Sequence, residues 1–264
     1  MDPLKIFKFL KENEIQQLAF EVMLNFYKKI KIFRNPYLRE ISLTLSVYDN
    51  PIILLSELDL QPIGDDEECF KEFNSLAKLL QQRMLSVKLP YPLTFNLGEK
   101  SSFVIYCIIR KMKPKIVVES GVANGVSTFF ILNAIIKNGV GKLYSVDINE
   151  NVGALLSDYE RKIWNLIIVK PKRKCLDKTI KKIIMENNMY IDIFLHDSNH
   201  TYRWQKFEYH FVFPYIAKNG FLISDDIDYS YAFLDFIKEK KCKAYGIIDN
   251  YKILGIINKR KCNA

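Results

Sequence analysis

The sequence has no cysteine pair at the C-x-x-C spacing that zinc sites and redox motifs use. Its five cysteines are scattered along the chain: Cys69, Cys107, Cys175, Cys242 and Cys262. An odd and widely spaced set of this kind indicates neither a disulfide framework nor a cysteine zinc site. We therefore expect a cytoplasmic protein whose cysteines stay reduced.

Long apolar runs and a secretion signal are also missing. No stretch approaches the ~18 consecutive apolar residues of a membrane span. The first residues, Met-Asp-Pro-Leu-Lys, are not followed by the short apolar core and small-residue cleavage site of a signal peptide. We expect a protein with no membrane partner.

Acidic residues are fewer than basic ones, 30 against 39, so the net charge is +9. Such an excess attracts nucleic acid, anionic lipid or an acidic substrate. No nucleic-acid-binding motif accompanies it, so a generally lysine-rich composition explains the charge better and a nucleic-acid partner is not favoured. A hydrophobic fraction of 49% and an aromatic fraction of 13% predict a packed core.

The two parts of the chain differ in their hydrophobic pattern. Residues 1–94 carry apolar side chains at helical spacing, for example from Ile15 to Phe26 and from Phe70 to Leu80, and Pro90 and Pro92 mark a connector. We predict a helical N-terminal extension or cap over 1–94 and a second domain over 95–264. Formation of a homo-oligomer through the cap is open.

From residue 95 onward short apolar runs alternate with helical stretches. Strands are predicted at 115–119, 143–148, 166–169, 191–195 and 221–224, helices at 101–111, 126–137, 202–218 and 231–240, and a closing hairpin at 244–248 and 253–257. This alternation predicts an α/β fold with a doubly wound, mostly parallel, seven-stranded Rossmann-like sheet whose last strand is antiparallel. Ligands of such sheets bind at the carboxyl ends of the strands.

A glycine turn follows the first of these strands. Gly121 and Gly125 allow a tight turn and a close ligand approach, and the next helix presents its N-terminus there. Asp147 ends the next strand, about twenty residues on, where an acid accepts hydrogen bonds from ribose hydroxyls. These residues predict a nucleoside-cofactor site, for NAD or S-adenosylmethionine; the spacing G-x-x-x-G differs from the dinucleotide G-x-G-x-x-G.

Acids follow two further strands, at Asp197, Asp225 and Asp226. Carboxylates crowded at one sheet edge raise one another's pKa unless a cation neutralises them. Oxygen ligands of this kind suit magnesium, calcium or manganese. We predict a divalent metal, magnesium above all, bound by these three acids.

Four segments together carry a resemblance to a known family: 118–128, Ser145-Val146-Asp147, 197–202 and Ser224-Asp225-Asp226-Ile227. They resemble the methyltransferase-24 group of class I S-adenosylmethionine-dependent methyltransferases, a group related to cation-dependent O-methyltransferases of sugar and catechol type. The resemblance covers roughly residues 95 to 258, and its most specific part is the D-x-x-H-x-Y string followed by D-D-I.

The resemblance implies roles for individual residues. The cofactor-binding set is Glu119, Gly121, Gly125, Ser127 and Asp147. Asp197, Asp225 and Asp226 match the metal-binding acids, and Asp197 or His200 takes the acceptor's proton. A structural role for His200, bracing its loop, is an equal alternative. His196 is assigned no role, and His210 is expected to pack among aromatic side chains.

The resemblance implies cation-assisted O-methylation of a small hydroxyl-bearing acceptor such as a sugar or a phenol. Two alternatives remain. One is a metal-independent methyltransferase acting on nucleic acid, with the basic stretch 170–174 contacting phosphates. The other is a catalytically inactive cofactor-binding protein with a regulatory or interaction role.

Overall fold

A computed structural model describes residues 36–58, 60, 66–250 and 252–263 of the chain. The chain divides into two compact units, 1–44 and 45–264. The described part of the first unit is helix α1, Pro36–Thr44. The predicted helical pattern from Ile15 to Phe26 lies outside the described residues. The assignment of 1–94 as a cap and of 95–264 as a separate domain stays a prediction.

The second unit alternates strands and helices. Its helices are α2 Pro51–Glu57, α3 Asp66–Ser86, α4 Glu99–Met112, α5 Val126–Asn138, α6 Asp158–Ile163, α7 Arg173–Asn187, α8 Tyr202–Val212 and α9 Ala232–Lys240. Its strands are β1 Ser46–Tyr48, β2 Ile116–Ser120, β3 Lys142–Asp147, β4 Asn165–Ile168, β5 Ile191–His196, β6 Ile216–Ser224, β7 Cys242–Asp249 and β8 Lys252–Cys262. The predicted α/β alternation is confirmed.

The strands form one sheet in the order β1-β7-β8-β6-β5-β2-β3-β4. Only β8 runs antiparallel to its neighbours, β6 and β7, as the closing hairpin predicted. The sheet has eight strands among the described residues rather than the predicted seven. The additional strand, β1, pairs in parallel with β7 and lies in the segment predicted to be helical. Three residues that pair with a strand some two hundred positions away leave no local periodicity in the sequence.

Helix α8 is shorter than the predicted span of 202–218. It ends at Val212, a 3-10 turn spans Phe213–Tyr215, and Ile216–Ser224 is strand β6. Pro214 explains the early end, because its ring and its missing N–H do not continue an α-helix. Gly220 lies within the irregular start of β6, where a Cβ atom would stand 2.6 Å from the carbonyl oxygen of Asp192.

Helix α3 is held to the core by an ionic network. Glu72 accepts hydrogen bonds from Tyr106 Oη at 2.8 Å and from Arg110 Nε at 2.8 Å, both on α4. Burial opposes ionisation of Glu72, but Arg110 and Tyr106 outweigh it and lower the pKa of Glu72 to about 2. Phe73 beside it stacks on Phe130 of α5 at a ring distance of 4.7 Å. The second part of the predicted cap, from Phe70 to Leu80, therefore packs as a helix on the α/β core.

A disulfide joins Cys242 at the start of β7 to Cys262 at the end of β8. This corrects the expectation that all cysteines are reduced. The two residues are partners in the hairpin register, a relationship that a separation of 20 in sequence does not reveal. Cys69, Cys107 and Cys175 remain thiols.

None of the helices in the described ranges is both long enough and apolar enough to cross a bilayer.

Candidate cofactor cavity and acid cluster

A cavity of about 430 Å³ opens at the carboxyl ends of the central strands. The strand order reverses at β2, with β3 on one side and β5 on the other, which is where doubly wound sheets bind ligands. Its lining includes Tyr91, Phe95, Gly121, Val122, Asp147, Ile148, Lys170, Asp197, Ser198, Trp204 and Glu208. Two of the predicted cofactor residues, Gly121 and Asp147, are thus brought to one cavity.

The two glycines of the turn are required by close backbone packing. Gly121 has φ +89°, and a Cβ atom on it would stand 2.0 Å from the carbonyl oxygen of Asp197. Gly125 has φ +90°, and its Cβ atom would stand 2.9 Å from Cα of Gly153. Side chains are excluded at both positions by conformation and by contact. Gly125 is not among the residues that line the cavity, so its contribution is to shape the turn.

Asp147 is fixed by backbone amides. Its Oδ1 accepts hydrogen bonds from the amides of Ile148 at 2.7 Å and Asn149 at 2.9 Å. Its Oδ2 accepts one from the amide of Val122 at 3.0 Å, which ties β3 to the glycine turn. A carboxylate oxygen has two lone-pair sites, so Oδ2 keeps acceptor capacity for a hydroxyl group in the cavity.

Glu119 lies behind the turn and does not line the cavity. It is fully buried, and its Oε2 accepts hydrogen bonds from Thr128 Oγ1 at 2.7 Å and Ser145 Oγ at 2.6 Å. Burial raises the pKa of Glu119, while Ser127, itself buried, favours the ionised form. Glu119 and Ser127 therefore connect β2, β3 and α5 without lining the cavity.

The connector before α4 supplies part of the wall, which the sequence did not reveal. Asn124 of the glycine turn is fully buried and binds the backbone of Tyr91 in both directions, its Oδ1 accepting at 3.1 Å and its Nδ2 donating at 3.0 Å. Nδ2 also donates to Asn96 Oδ1 at 2.9 Å. These bonds place the rings of Tyr91 and Phe95 at the cavity.

A buried carboxylate on α8 organises the opposite wall. Glu208 Oε1 accepts from Trp204 Nε1 at 2.5 Å, Ser120 Oγ at 2.9 Å and Ser198 Oγ at 3.0 Å. Its Oε2 lies 2.6 Å from Nδ1 of His196, which is fully buried. Burial opposes ionisation, but His196 and the hydroxyl donors outweigh it and lower the pKa of Glu208. His196, assigned no role from sequence, thus supports this wall.

The predicted acids do meet beyond β5 and β6. Asp225 is buried, and its amide donates to the carbonyl oxygen of His196 at 2.9 Å, which brings the two strand ends together. Burial, followed by the charge of Asp226, raises the pKa of Asp225 to about 7. Burial and the charge of Asp225 raise the pKa of Asp197. Asp226 has φ +51°, a conformation that aspartate adopts more readily than most residues.

A lysine stands at these carboxylates, and no pattern in the sequence pointed to it. Lys252 Nζ lies 3.1 Å from Asp226 Oδ2 and 3.4 Å from Asp225 Oδ2. Burial disfavours its charge, but the two carboxylates outweigh burial and raise the pKa of Lys252. Within the described ranges no set of three histidine, cysteine, aspartate or glutamate side chains has the geometry to hold a metal ion. The ammonium group, rather than an open set of oxygen ligands, faces Asp225 and Asp226; metal binding by these acids stays a prediction.

His200 faces the same cluster. Its Nε2 lies 3.6 Å from Asp226 Oδ2 and 3.8 Å from Asp197 Oδ1, beyond direct hydrogen bonds. Burial, followed by the neighbouring His196, lowers the pKa of His200 to about 4. His210 lies elsewhere: its ring is 5.1 Å from that of Phe236, and its Nε2 lies 2.8 Å from Glu239 Oε2.

One segment of the chain matches a known protein family. Residues 118–227 match the methyltransferase-24 family, described as a methyltransferase domain. The matched segment runs from β2 to the end of the acid cluster, so it contains the glycine turn, Asp147 and all three predicted metal acids. The resemblance inferred from the sequence is confirmed. A comparison with proteins of curated function finds no match.

Several solved structures share the fold of this chain. An O-methyltransferase from Bacillus cereus in complex with SAH has a TM-score of 0.51 and 11% identity, covering 76% of this chain and 94% of its own. The O-methyltransferase TomG from Streptomyces achromogenes, in complex with SAM, has a TM-score of 0.52 and 8% identity, covering 78% and 94%. An SAH-bound methyltransferase from Podospora anserina has a TM-score of 0.52 and 12% identity, covering 78% and 93%. At these identities the likeness establishes the Rossmann-like methyltransferase fold.

Proposed function

We propose that the protein is an S-adenosylmethionine-dependent O-methyltransferase acting on a small hydroxyl-bearing acceptor. The observation that carries the proposal is the cavity at the switch point of a methyltransferase sheet, lined at once by the glycine turn, Asp147 and Asp197. Two of the solved structures that share this fold are O-methyltransferases in complex with SAH or SAM, which supports the choice of cofactor.

The two ends of the cavity are lined by residues of different chemistry. At the β3 end, Asp147 Oδ2 would accept a hydrogen bond from a ribose hydroxyl, and Ile148 and Tyr91 would contact the adenosine. At the β5 end, Asp197 lines the cavity and belongs to the acid cluster. We infer that the methionine portion points towards Asp197, so that the methyl group reaches the edge where the acceptor binds.

The proposed reaction is an in-line displacement. The acceptor's hydroxyl oxygen attacks the methyl carbon, the carbon–sulfur bond breaks with its electron pair passing to sulfur, and the hydroxyl proton passes to Asp197 or to His200. Because no bond forms between protein and substrate, catalysis depends on alignment of oxygen, carbon and sulfur and on removal of that proton. Burial and the neighbouring Asp225 raise the pKa of Asp197, which strengthens its carboxylate as a proton acceptor.

Sugar and phenol acceptors both fit the proposal, and a magnesium ion predicted from the sequence would polarise their hydroxyl groups. In this chain such an ion would have to compete with Lys252 for Asp225 and Asp226.

The basic stretch 170–174 contributes Lys170 and Lys172 to the cavity lining, a position as suited to the cofactor as to a phosphate backbone. No observation therefore favours a nucleic-acid acceptor.

The test is transfer of a labelled methyl group from S-adenosylmethionine to a panel of sugars and phenols, with RNA and DNA included. We expect product on an oxygen atom of a small acceptor. Asp197→Asn should reduce kcat about a hundredfold or more while cofactor binding survives, as for loss of a general base. Methyl transfer to nucleic acid alone would refute the proposed acceptor class, and undiminished turnover in Asp197→Asn would exclude Asp197 as the base and leave His200.

A further inference from the structure

Lys252 stands in the place that the sequence predicts for a metal ion. Its Nζ contacts two of the three predicted metal-binding carboxylates, at 3.1 Å and 3.4 Å. Only 30% of its side chain is exposed, and Asp225 has 2% exposure. Asp225 is buried and the adjacent Asp226 is half-buried, so a nearby cation stabilises their ionised forms, and this ammonium group is positioned to be that cation.

The backbone holds Lys252 at this point. The amide of Ile253 donates to Asp228 Oδ1 at 2.9 Å, and the amide of Ile227 donates to the carbonyl oxygen of Ile253 at 3.0 Å. The residue after Lys252 is therefore joined on both sides to the loop that carries Asp225 and Asp226. The lysine reaches the acids because the strand that carries it is fixed to their loop.

The other strand of the hairpin is fixed as well. Asp249, the register partner of Lys252, is buried and accepts a hydrogen bond from the amide of Ser101 at 2.8 Å, at the N-terminus of α4. A Cβ atom on Gly98 would stand 2.1 Å from Asp249 Oδ2, so the contact is close. Both strands of the hairpin are thus anchored, β7 to α4 and β8 to the loop that carries Asp225 and Asp226. The backbone of Lys252 is therefore fixed near these acids, and its side chain has only to span the remaining distance.

We propose that Lys252 is the built-in cation of this acid cluster, so that the enzyme positions its acceptor without a divalent metal. The inference rests on the proposed function and specifies its chemistry. Lys252 keeps Asp225 and Asp226 together beside Asp197 and His200 and provides one positive charge at the acceptor edge. A lysine ammonium is a compact point charge with three donors, so it can hold two carboxylates at once. Lys252 is a positioning residue in this account.

The consequence is competition between lysine and metal for the same carboxylates. Removing the ammonium leaves Asp225 and Asp226 with uncompensated charge and with vacated oxygen ligands, a combination that attracts Mn²⁺. A lysine that stabilises the fold away from these carboxylates would not change metal affinity when it is replaced. Gain of metal binding therefore distinguishes the proposed role from a role in stability.

The experiment is calorimetric titration of Mn²⁺ alone into the metal-stripped full chain, for wild type and for Lys252→Gln, Lys252→Arg and Lys100→Gln. The last variant is the matched control, because Lys100 also pairs with an aspartate, Asp49 at 2.6 Å, but on the surface. We expect Lys252→Gln to bind Mn²⁺ about tenfold more tightly than wild type or more. Lys252→Arg and Lys100→Gln should behave as wild type.

Equal Mn²⁺ affinity in wild type and Lys252→Gln, including no binding in either, would overturn the proposal. If Lys252→Gln does not fold, wild type alone still decides: Mn²⁺ binding that Asp226→Asn abolishes would show that a metal occupies the cluster beside the lysine, and would overturn the proposal, whereas no binding would support it. Titration of S-adenosylmethionine into the same samples separates this outcome from failure of the proposed function, because cofactor binding does not depend on which cation holds the acids.

Discussion

The carbonyl oxygen of Asp197 occupies almost the point where a Cβ atom of Gly121 would stand, at 2.0 Å. Through this contact the glycine turn after β2 supports the loop that begins the acid cluster after β5. The cofactor edge and the acceptor edge of the site are therefore built on one backbone contact, and disturbing it should affect both.

Gly121→Ala tests this contact. The alanine would have to adopt φ +89° and would clash with a backbone atom that has no freedom to rotate away. We expect loss of several kcal/mol of unfolding free energy, or failure to fold, because the clash adds to the ~1 kcal/mol cost of a left-handed alanine. The control is Gly139→Ala, where φ is +67° and nothing lies within 4 Å. Urea unfolding should show a loss of only about 1 kcal/mol there. Equal losses in the two variants would contradict this account of the turn.

Trp204 should report on the cofactor. The chain has two tryptophans, and Trp204 lines the cavity whereas Trp164 donates to Ser145 Oγ at 2.8 Å behind it. In the Trp164→Phe variant, S-adenosylmethionine should change the fluorescence of the remaining indole because the ligand displaces water from its surface. The Trp204→Phe variant should give no comparable change. A response carried by Trp164 would place the ligand elsewhere.

Glu72 should give the protein part of its acid sensitivity. Its folded pKa of about 2 lies below the ordinary value of 4.5, so its contribution is full above 4.5 and is lost as the pH falls towards 2. Glu72→Gln should lower the unfolding free energy by about 2 kcal/mol at neutral pH, a figure discounted for solvent screening. The difference from wild type should disappear near pH 2. Glu186→Gln, which removes an exposed pair with Lys182, is the control and should change little.

Thiol counting tests the hairpin disulfide. Without reductant, the denatured chain should react with Ellman's reagent at Cys69, Cys107 and Cys175 alone. After reduction all five cysteines should react. In the native protein Cys175 should react first, since Cys69 and Cys107 are buried. Five reactive thiols before reduction would show that Cys242 and Cys262 are not joined.

Much of the sheet could be predicted because its strands are short β-branched runs bounded by glycine, as at β2. Because the carboxyl ends of parallel strands meet at one edge of the sheet, Asp147 and the acids are predicted to lie near that edge. Local pattern fails where the conformation depends on distant partners. Strand β1 is three residues long and gains its conformation from β7, and Pro214 ends α8 inside a continuous apolar pattern.

The site predicted from the sequence is incomplete for the same reason. Tyr91 reaches the cavity because Asn124 binds its backbone, and Lys252 reaches the acids because Asp228 binds the strand after it. No spacing of residues along the sequence predicts either contact. Glu208 alone had a usable signal, since it follows Trp204 by four residues and so shares its helix face.

Calorimetric titration of S-adenosylmethionine into the wild-type protein, with Asp147→Ala as its partner variant, decides whether the cavity binds this cofactor. We expect saturable binding of one cofactor per chain, weakened at least about tenfold in Asp147→Ala because the ribose loses a charged acceptor. Asp192→Ala removes a carboxylate that binds backbone amides at the start of β2, away from the cavity, and should leave the affinity unchanged. No binding by the folded wild-type protein, or equal affinity in wild type and Asp147→Ala, would contradict the proposed cofactor site.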